Sequence, residues 1–160
     1  MFRSFFNYPG QNDGQEAQDL TLLPHWPDDK WTTLLAFAEL RRFKAGEDVI
    51  VAGEIDRSFY IITAGRLEVL IPRGRTGQLR PTQTRDVGAV IGEQAFIDGK
   101  PRSATIRALT DGEVLRVSID AFEVFAAHHP DLTHDLLFDL ARILSTKLRQ
   151  ANGFISTLIK

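Results

Sequence analysis

The 160-residue sequence predicts an α+β fold, in which an antiparallel β jelly roll or barrel lies between a short N-terminal helix and two C-terminal helices. In the central part of the chain, apolar residues alternate with polar ones, which is typical of half-buried strands. Glycines separate these runs, and glycine readily takes the positive φ angles of tight turns. Short strands joined by such turns indicate a barrel or jelly roll. Toward both ends of the chain, apolar residues instead recur at helical spacing.

The chain is expected to divide into a flexible leader over residues 1–27 and one domain over residues 28–160. Residues 9–19 contain almost no apolar side chain, so they cannot bury enough surface to offset the entropy lost on ordering. The length of the chain and its 43% hydrophobic composition suit a single buried core.

A short helix is predicted over residues 28–39, because apolar residues recur there at helical spacing: Trp31, Leu34, Leu35 and Ala38. Alternating apolar residues then predict several strands, around Phe43, Val49, Val51, Phe59, Ile61, Leu67, Val69 and Ile71. Two more strands are predicted at 104–109 and 113–119. They flank Asp111-Gly112, a dipeptide that favours a two-residue type I′ hairpin. The strand region should therefore end near residue 119.

Two helices are predicted after the strands. Ser118 and Asp120 are candidate caps for the first, and Pro130 is expected to begin the second, over roughly residues 131–157. The second helix carries a heptad seam: Leu137, Ala141, Leu144, Leu148, Ala151, Ile155 and Leu158. A second apolar stripe lies beside it: Leu136, Leu140 and Ile143. The seam predicts either a homodimer through this helix or packing against the domain's own barrel.

The segment over residues 91–105 carries the residues with distinctive chemistry. Its order is strand, glycine, acid, about one helical turn, a glycine-containing loop, then Arg102 and Ser103. A helix N-terminus offers backbone N–H groups, and an arginine adds charge-assisted hydrogen bonds to phosphate oxygens. Gly92 lets a ligand approach the backbone closely, and Glu93 can accept a hydrogen bond from a ribose hydroxyl. The segment therefore predicts a ligand that has both a phosphate and a ribose.

This segment resembles the phosphate-binding cassette of the cyclic nucleotide-binding domain family. The similarity covers most of residues 28–150, through the motifs Phe43-x-x-Gly46-Glu47, Gly53-Glu54, Tyr60-x-Ile62-x-x-Gly65 and Leu67-Glu68-Val69. The resemblance implies that a cyclic nucleotide contacts Ile91, Gly92, Glu93, Gln94, Ala95, Arg102, Ser103 and Ala104.

The resemblance also implies a role for the main residues of the segment. Glu93 and the Gly92 amide would bind the ribose 2′-hydroxyl. Arg102, the Ser103 hydroxyl and the backbone amides of Ala95 and Ser103 would hold the cyclic phosphate.

Three further expectations follow from the same resemblance. Gln94 stands where family members usually have an aliphatic residue, so a polar amide lies near the ligand or the strand behind it. Ser103, directly after the arginine, favours cAMP over cGMP. A lid over the base is expected from the last helix, with three candidates: Lys147, Leu148 and Arg149.

Composition and motifs argue against several other functions. The net charge of −2 lacks the basic excess that nucleic-acid binding favours, and no apolar run is long enough to span a bilayer. The absence of cysteine excludes disulfides and thiolate metal sites. His128 and His129 are adjacent rather than three or four residues apart, so no metal site is expected. No nucleophile or phosphate-loop motif occurs, so neither an enzyme nor a cofactor is expected.

The expected function is therefore that of a stand-alone cytoplasmic sensor, which binds a cyclic nucleotide and signals to a separate effector protein. Only about one short helix follows residue 150, which leaves no room for an output domain. Two alternatives stay open. The chain could be a structural or scaffold dimer that keeps the fold without responding to a ligand. Glu93 and Arg102 could also form a simple exposed ion pair in a loop.

Overall fold

The structure, a computed structural model, describes residues 20–159 and consists of strands in the middle with helices at both ends. The strands are Glu39–Phe43 (β1), Asp48–Ile50 (β2), Ser58–Ala64 (β3), Leu67–Arg73 (β4), Gln78–Arg85 (β5), Val90–Ile91 (β6), Thr105–Ala108 (β7) and Gly112–Ser118 (β8). The α-helices are Asp28–Leu35 (α1), Glu93–Asp98 (α2), Ile119–His128 (α3) and Pro130–Leu158 (α4). A 3₁₀ turn, Gly74–Thr76, joins β4 to β5.

The strands form two antiparallel sheets of four strands each. The first has the order β1-β8-β3-β6 and the second has the order β2-β7-β4-β5. The predicted antiparallel jelly roll, with one helix before it and two after it, is confirmed. It is built as a jelly-roll-like sandwich of two sheets rather than as a closed barrel.

Strand β3 is buried on both faces, which differs from the half-buried pattern predicted for it. Phe59 and Ile61 belong to a cluster that also contains buried residues of α1, α3 and α4. Tyr60 and Ile62 belong to a second cluster, formed by residues of both sheets. Because side chains alternate along a strand, β3 contributes to the helix-covered core and to the core between the sheets.

The Asp111-Gly112 pair does not form the predicted hairpin, since β7 and β8 belong to different sheets. Gly112 begins β8 and is not among the glycines with positive φ. A Cβ atom at this position would clash with the Ala64 carbonyl oxygen and the Phe43 ring. Glycine is needed here for close packing of the backbone rather than for a type I′ turn.

Strand β5 was not predicted, because its sequence is polar and contains a proline. It pairs with β4 along its whole length, from Leu67 opposite Arg85 to Arg73 opposite Gln78. Most of its side chains are exposed, and Pro81 lies next to a register shift on this edge strand. The apolar alternation that reveals half-buried strands is therefore missing from β5.

Residues 20–27 pack against the core, whereas the sequence placed them in a flexible leader. Leu20, Leu22 and Leu23 are all buried and join the same cluster as α1 and α4. The Leu22 amide donates to the Gly88 carbonyl oxygen at 3.1 Å, and the Leu23 amide donates to Asp139 Oδ2 at 2.6 Å. Three leucines in four residues supply enough apolar surface to order the segment. The rest of the predicted leader, residues 1–19, lies outside the described residues.

The C-terminal helices begin where the sequence predicts them. The Ser118 hydroxyl accepts a hydrogen bond from the Ala121 amide at 3.2 Å and caps α3. Helix α4 begins at Pro130, and the stripe of Leu136, Leu140 and Ile143 is fully buried against the domain.

The heptad seam of α4 faces away from the core. Four of its large side chains are exposed, those of Leu137, Leu148, Ile155 and Leu158, and Ala141 and Ala151 are exposed as well. Packing of the seam against the domain's own barrel is therefore wrong, because the neighbouring stripe takes that place. Within residues 20–159, no helix combines the length and the apolar character needed to cross a membrane.

Candidate functional site

An open cavity of about 440 Å³ lies between the second sheet, the 91–105 segment and α4. All eight residues that the sequence predicted in this segment line it, together with one predicted lid residue. The lining residues are Ile50, Val69, Ile71, Arg85, Ile91, Gly92, Glu93, Gln94, Ala95, Arg102, Ser103, Ala104, Ile106 and Lys147. The structure therefore gathers one carboxylate, three cationic side chains and an apolar wall around one space.

Gly92 turns the chain from β6 into α2 and brings the backbone close to Arg102. Its φ angle is +76°, a conformation that glycine adopts without strain. A Cβ atom here would lie 2.6 Å from Arg102 Nη1 and 3.1 Å from the Ser58 carbonyl oxygen. Instead, Arg102 Nη1 donates to the Gly92 carbonyl oxygen at 2.8 Å. Only glycine fits this position without displacing the arginine.

Arg102 is held from several directions and is only 4% exposed. Its Nη2 donates to Asp56 Oδ2 at 2.7 Å, and its guanidinium lies 5.8 Å from the centre of the Tyr60 ring. Its backbone is fixed as well, since its amide donates to the Glu54 carbonyl oxygen at 2.8 Å. The charge of Arg102 is thus placed at the cavity wall with little freedom to move.

Asp56 organises this side of the site, although the sequence did not single it out. Its carboxylate accepts hydrogen bonds from Arg102, from Arg116 at 3.2 Å, from the Ser58 hydroxyl at 2.8 Å and from the Tyr60 hydroxyl at 3.2 Å. Burial raises the pKa of Asp56, but the hydrogen bonds from Ser58 and Arg102 outweigh it, so the pKa lies below its usual value. Asp56 is therefore ionised at neutral pH and orients Arg102.

Glu93 is also buried, with 4% of its surface exposed, and it holds a different partner. Lys147 Nζ, from α4, donates to Glu93 Oε1 at 2.5 Å and to the Val90 carbonyl oxygen at 3.1 Å. Burial lowers the pKa of Lys147, and the negative charge of Glu93 opposes that shift. An exposed ion pair between Glu93 and Arg102 is therefore wrong, because both side chains are buried and pair with other residues.

The remaining predicted residues divide between the cavity and the surface. Gln94 is exposed, and its Oε1 accepts a hydrogen bond from the Ser103 hydroxyl at 3.1 Å, which ties the two ends of the segment together. Of the three lid candidates, only Lys147 reaches the cavity. Leu148 is 63% exposed, and Arg149 is exposed as well.

Arg85, at the end of β5, is a cavity residue that the sequence did not predict. It is only 8% exposed. Its Nη1 donates to the Thr84 carbonyl oxygen at 2.9 Å, and its Nη2 donates to Gln83 Oε1. No sequence signal identified it, because β5 lacks the apolar alternation of a half-buried strand.

Comparison with known proteins identifies the family. Residues 40–129 match the family model described as the cyclic nucleotide-binding domain. This chain belongs to the cyclic nucleotide-binding domain family. The matched residues include β1 from its second residue, β2 to β8, α2 and α3, and therefore both ends of the 91–105 segment.

Solved structures of cyclic nucleotide-binding domains have the same fold. A cyclic nucleotide-binding domain from Methylobacillus flagellatus KT is 22% identical, with a TM-score of 0.78, and the match covers 89% of this chain and 80% of that one. The catabolite activator protein of Thermus thermophilus is 21% identical, with a TM-score of 0.72, covering 84% and 61% of the two chains.

Curated relatives are much longer than this cyclic nucleotide-binding domain. Glutaminase 2 of Bradyrhizobium diazoefficiens is 27% identical over 157 residues, which is 96% of this chain but 24% of that protein. A cAMP-dependent protein kinase regulatory subunit of Emericella nidulans is 33% identical over 82 residues, or 51% of this chain and 19% of that protein. This chain spans about a quarter or less of these relatives.

Proposed function

We propose that this domain is a sensor that binds a cyclic nucleotide monophosphate in the cavity around Glu93 and Arg102. One observation carries the proposal: a buried carboxylate and a buried guanidinium, from the two ends of the 91–105 segment, line one cavity of about 440 Å³. That volume falls within the range of small-molecule sites. The membership of the chain in the cyclic nucleotide-binding domain family supports the same ligand class.

Arg102 is proposed to bind the cyclic phosphate. A guanidinium has five N–H donors, and the hydrogen bonds to Gly92 and Asp56 leave others for phosphate oxygens. The ion pair with Asp56 holds the side chain in place before the ligand arrives, so little of its freedom is lost on binding. The Ser103 hydroxyl and the amides of Ala95 and Ser103 would complete the phosphate site.

Glu93 is proposed to accept a hydrogen bond from the ribose 2′-hydroxyl, next to the Gly92 amide. One carboxylate oxygen accepts from Lys147, and the second oxygen can accept from the sugar. Because Lys147 belongs to α4, a ligand that changes the hydrogen bonding of Glu93 acts directly on this helix. Leu148 and Arg149 face solvent, so either could cover the base only if α4 moves.

The proposed output is a shift between two arrangements of α3 and α4 that an effector protein can distinguish. The size of that shift is limited by the difference in ligand affinity between the two arrangements. In this proposal the domain binds and signals without catalysing a reaction. The cytoplasmic location stays a prediction.

The choice of nucleotide is a separate part of the proposal. Ser103 favours cAMP over cGMP through the family resemblance. Its hydroxyl, however, is hydrogen-bonded to Gln94. The choice of cAMP rests on Ser103 alone.

Thermal unfolding with and without each nucleotide tests ligand binding. A ligand present at 100 times its Kd should raise the free energy of unfolding by about 2.7 kcal/mol. Arg102→Leu should remove the shift, since the phosphate loses its cationic partner. The fold should be retained, because Asp56 still accepts a hydrogen bond from Arg116. Arg107→Leu is the control, because Arg107 also pairs with an aspartate, Asp48, at 2.7 Å, but is more exposed and does not line the cavity. This variant should retain the shift.

The main alternative is a scaffold dimer that keeps the fold without responding to a ligand, and the exposed seam of α4 favours it. If neither cAMP nor cGMP shifts the unfolding transition at millimolar concentration, the sensor proposal is wrong and the scaffold is supported. Retained binding by Arg102→Leu would show that the phosphate lies elsewhere.

A further inference from the structure

The hairpin of β4 and β5 extends past the rest of its sheet. Strand β7 pairs with β4 only from Leu67 to Leu70, whereas β5 pairs with β4 as far as Arg73. Residues 71–80 therefore form a two-stranded arm that no further strand of the sheet flanks. Every residue of this arm is exposed except Leu79, which is half-buried. The arm can thus contact a surface outside the domain.

The arm carries a positive charge that is not compensated. Residues 69–85 contain four arginines and no acidic residue, although the whole chain has a net charge of −2. Three of these arginines lie on the arm and are exposed: Arg73, Arg75 and Arg80. Within residues 20–159, their side chains form neither an ion pair nor a hydrogen bond. Cations clustered in this way attract an anionic partner.

The arm is apolar as well as cationic. Ile71, which is 46% exposed, is opposite Arg80 in the hairpin, and Pro72 is opposite Leu79. Because side chains alternate along a strand, Arg80 shares a face with Ile71, whereas Pro72 and Leu79 occupy the other face. Cations and apolar side chains therefore lie together at the end of the domain. This combination suits the interface of a bilayer, where charged headgroups lie next to hydrocarbon.

Other anionic partners fit the arm less well. Pro81 lies on the free edge of β5 and has no N–H, which opposes the addition of a strand from a protein partner. Nucleic-acid binding favours a basic excess over the whole domain, which a net charge of −2 does not provide. Contact with phosphates alone would also leave Pro72 and Leu79 without a function.

We infer that the arm binds the surface of an anionic membrane. Arg73, Arg75 and Arg80 contact the lipid phosphates, and Pro72 and Leu79 point toward the acyl chains. Arginine suits this role because its guanidinium forms bidentate hydrogen bonds with phosphate oxygens. The contact is peripheral and needs no helix that spans the bilayer. This inference does not rest on the proposed function, since none of the three arginines lines the nucleotide cavity.

Sedimentation of the full chain with lipid vesicles tests the inference. Each arginine near an anionic surface contributes about fivefold to binding. Vesicles of equimolar phosphatidylcholine and phosphatidylserine should therefore bind the chain about 100-fold more tightly than vesicles of phosphatidylcholine alone. The preference should largely disappear at about 1 M salt, where exposed charges are screened beyond about 3 Å.

Charge variants locate the contact on the arm. Each of Arg73→Gln, Arg75→Gln and Arg80→Gln should weaken binding to the anionic vesicles about fivefold, and the triple variant should bind them no better than neutral vesicles. Arg42→Gln is the control, because it removes the same charge from an arginine that is 79% exposed on the other sheet. It should bind like the wild type. The arm variants lose no ion pair, so their urea unfolding should not change.

A reporter on the apolar face distinguishes a membrane from a soluble polyanion. In Leu79→Trp, the fluorescence of the new tryptophan should be quenched by brominated acyl chains in the anionic vesicles. The wild-type chain is the control, because Trp26 and Trp31 pack in the helix-covered core and should not be quenched.

The outcomes separate the membrane from other partners and from the proposed function. Equal binding to both kinds of vesicle, or unchanged binding by the triple variant, would overturn the inference. If polyglutamate or duplex DNA binds at least as tightly as the anionic vesicles, and Leu79→Trp is not quenched, the partner is a soluble polyanion instead. The triple variant should keep the nucleotide affinity of the wild type. Failure of nucleotide binding would affect the proposed function and not the arm.

Discussion

At the scale of single residues, Gly92 shows how one backbone position couples the fold to the proposed site. It combines a φ angle of +76° with a contact to Arg102, so a side chain here would both strain the backbone and push the guanidinium away. The two effects can be separated by comparison with Gly46. This glycine has a similar φ angle of +85° but open space around it, so a side chain there would strain the backbone without displacing another residue.

We predict that Gly92→Ala and Gly46→Ala both lower the free energy of unfolding, by about 1–3 kcal/mol, because each places a side chain at positive φ. Only Gly92→Ala should also weaken ligand binding, by about tenfold or more, because it displaces Arg102, which forms charge-assisted bonds. Urea unfolding and nucleotide titration measure the two effects. Equal binding by both variants would contradict the proposed link between Gly92 and the phosphate site.

Arg85 and Lys147 show how burial changes the properties of a cationic side chain. Both side chains sit in the cavity wall, and burial lowers the pKa of each. On an exposed strand or helix the same residues would be ordinary solvated side chains. Here their charges interact with that of Glu93, which lines the same cavity.

At the scale of elements, α4 is the helix whose two faces serve different purposes. The face that carries Leu136, Leu140 and Ile143 is fully buried in the domain. The seam on another face leaves large apolar side chains in solvent, with Leu148 63% exposed and Ile155 53% exposed. Exposed apolar stripes of this kind mark contact surfaces with other molecules. We propose that the seam pairs with the α4 of a second copy.

We predict that the wild-type chain is a dimer in light scattering and that Leu148→Asp is a monomer, since a charge in the seam opposes its burial. Arg149→Asp, the exposed neighbour outside the seam, should remain a dimer. Because Leu148 is already exposed within one copy, its substitution should change the stability of the monomer by no more than about 0.5 kcal/mol. A monomeric wild-type chain, or an unchanged mass for Leu148→Asp, would rule out this interface.

At the scale of the whole molecule, one helix-covered core joins the two ends of the described chain. Leu22 and Leu34, near its beginning, share a buried cluster with Phe59 of the sheet and Leu140 of α4. Arg142 adds a polar contact, since its Nη2 donates to the Thr21 carbonyl oxygen at 2.9 Å. The position of α4 beside the cavity therefore depends on residues at the other end of the chain.

We predict that Leu22→Ala lowers the free energy of unfolding by about 2–5 kcal/mol, because it leaves a cavity in this core. Leu109→Ala, at a position that is 43% exposed, should cost less than about 1 kcal/mol. Urea unfolding monitored by circular dichroism compares the two variants. A small effect of Leu22→Ala would indicate that residues 20–27 contribute little to the fold.

The sequence was most informative where local patterns and structure agree. Alternating apolar residues identified β3 and β4, and Ser118 and Pro130 marked the starts of α3 and α4. The same reasoning missed β5, because a polar edge strand has no apolar alternation. It also misread Asp111-Gly112, because a turn dipeptide does not reveal that the next strand belongs to another sheet.

The sequence by itself determined the chemistry of the 91–105 segment, because Gly92, Glu93 and Arg102 lie within one short stretch whose order carries the information. Only the tertiary structure decided what these residues meet. Arg102 pairs with Asp56, 46 positions away, and Glu93 pairs with Lys147, 54 positions away. Contacts over such separations depend on how sheets and helices pack, which local periodicity does not specify. The same packing buries Arg85 in the cavity wall and leaves the seam of α4 exposed.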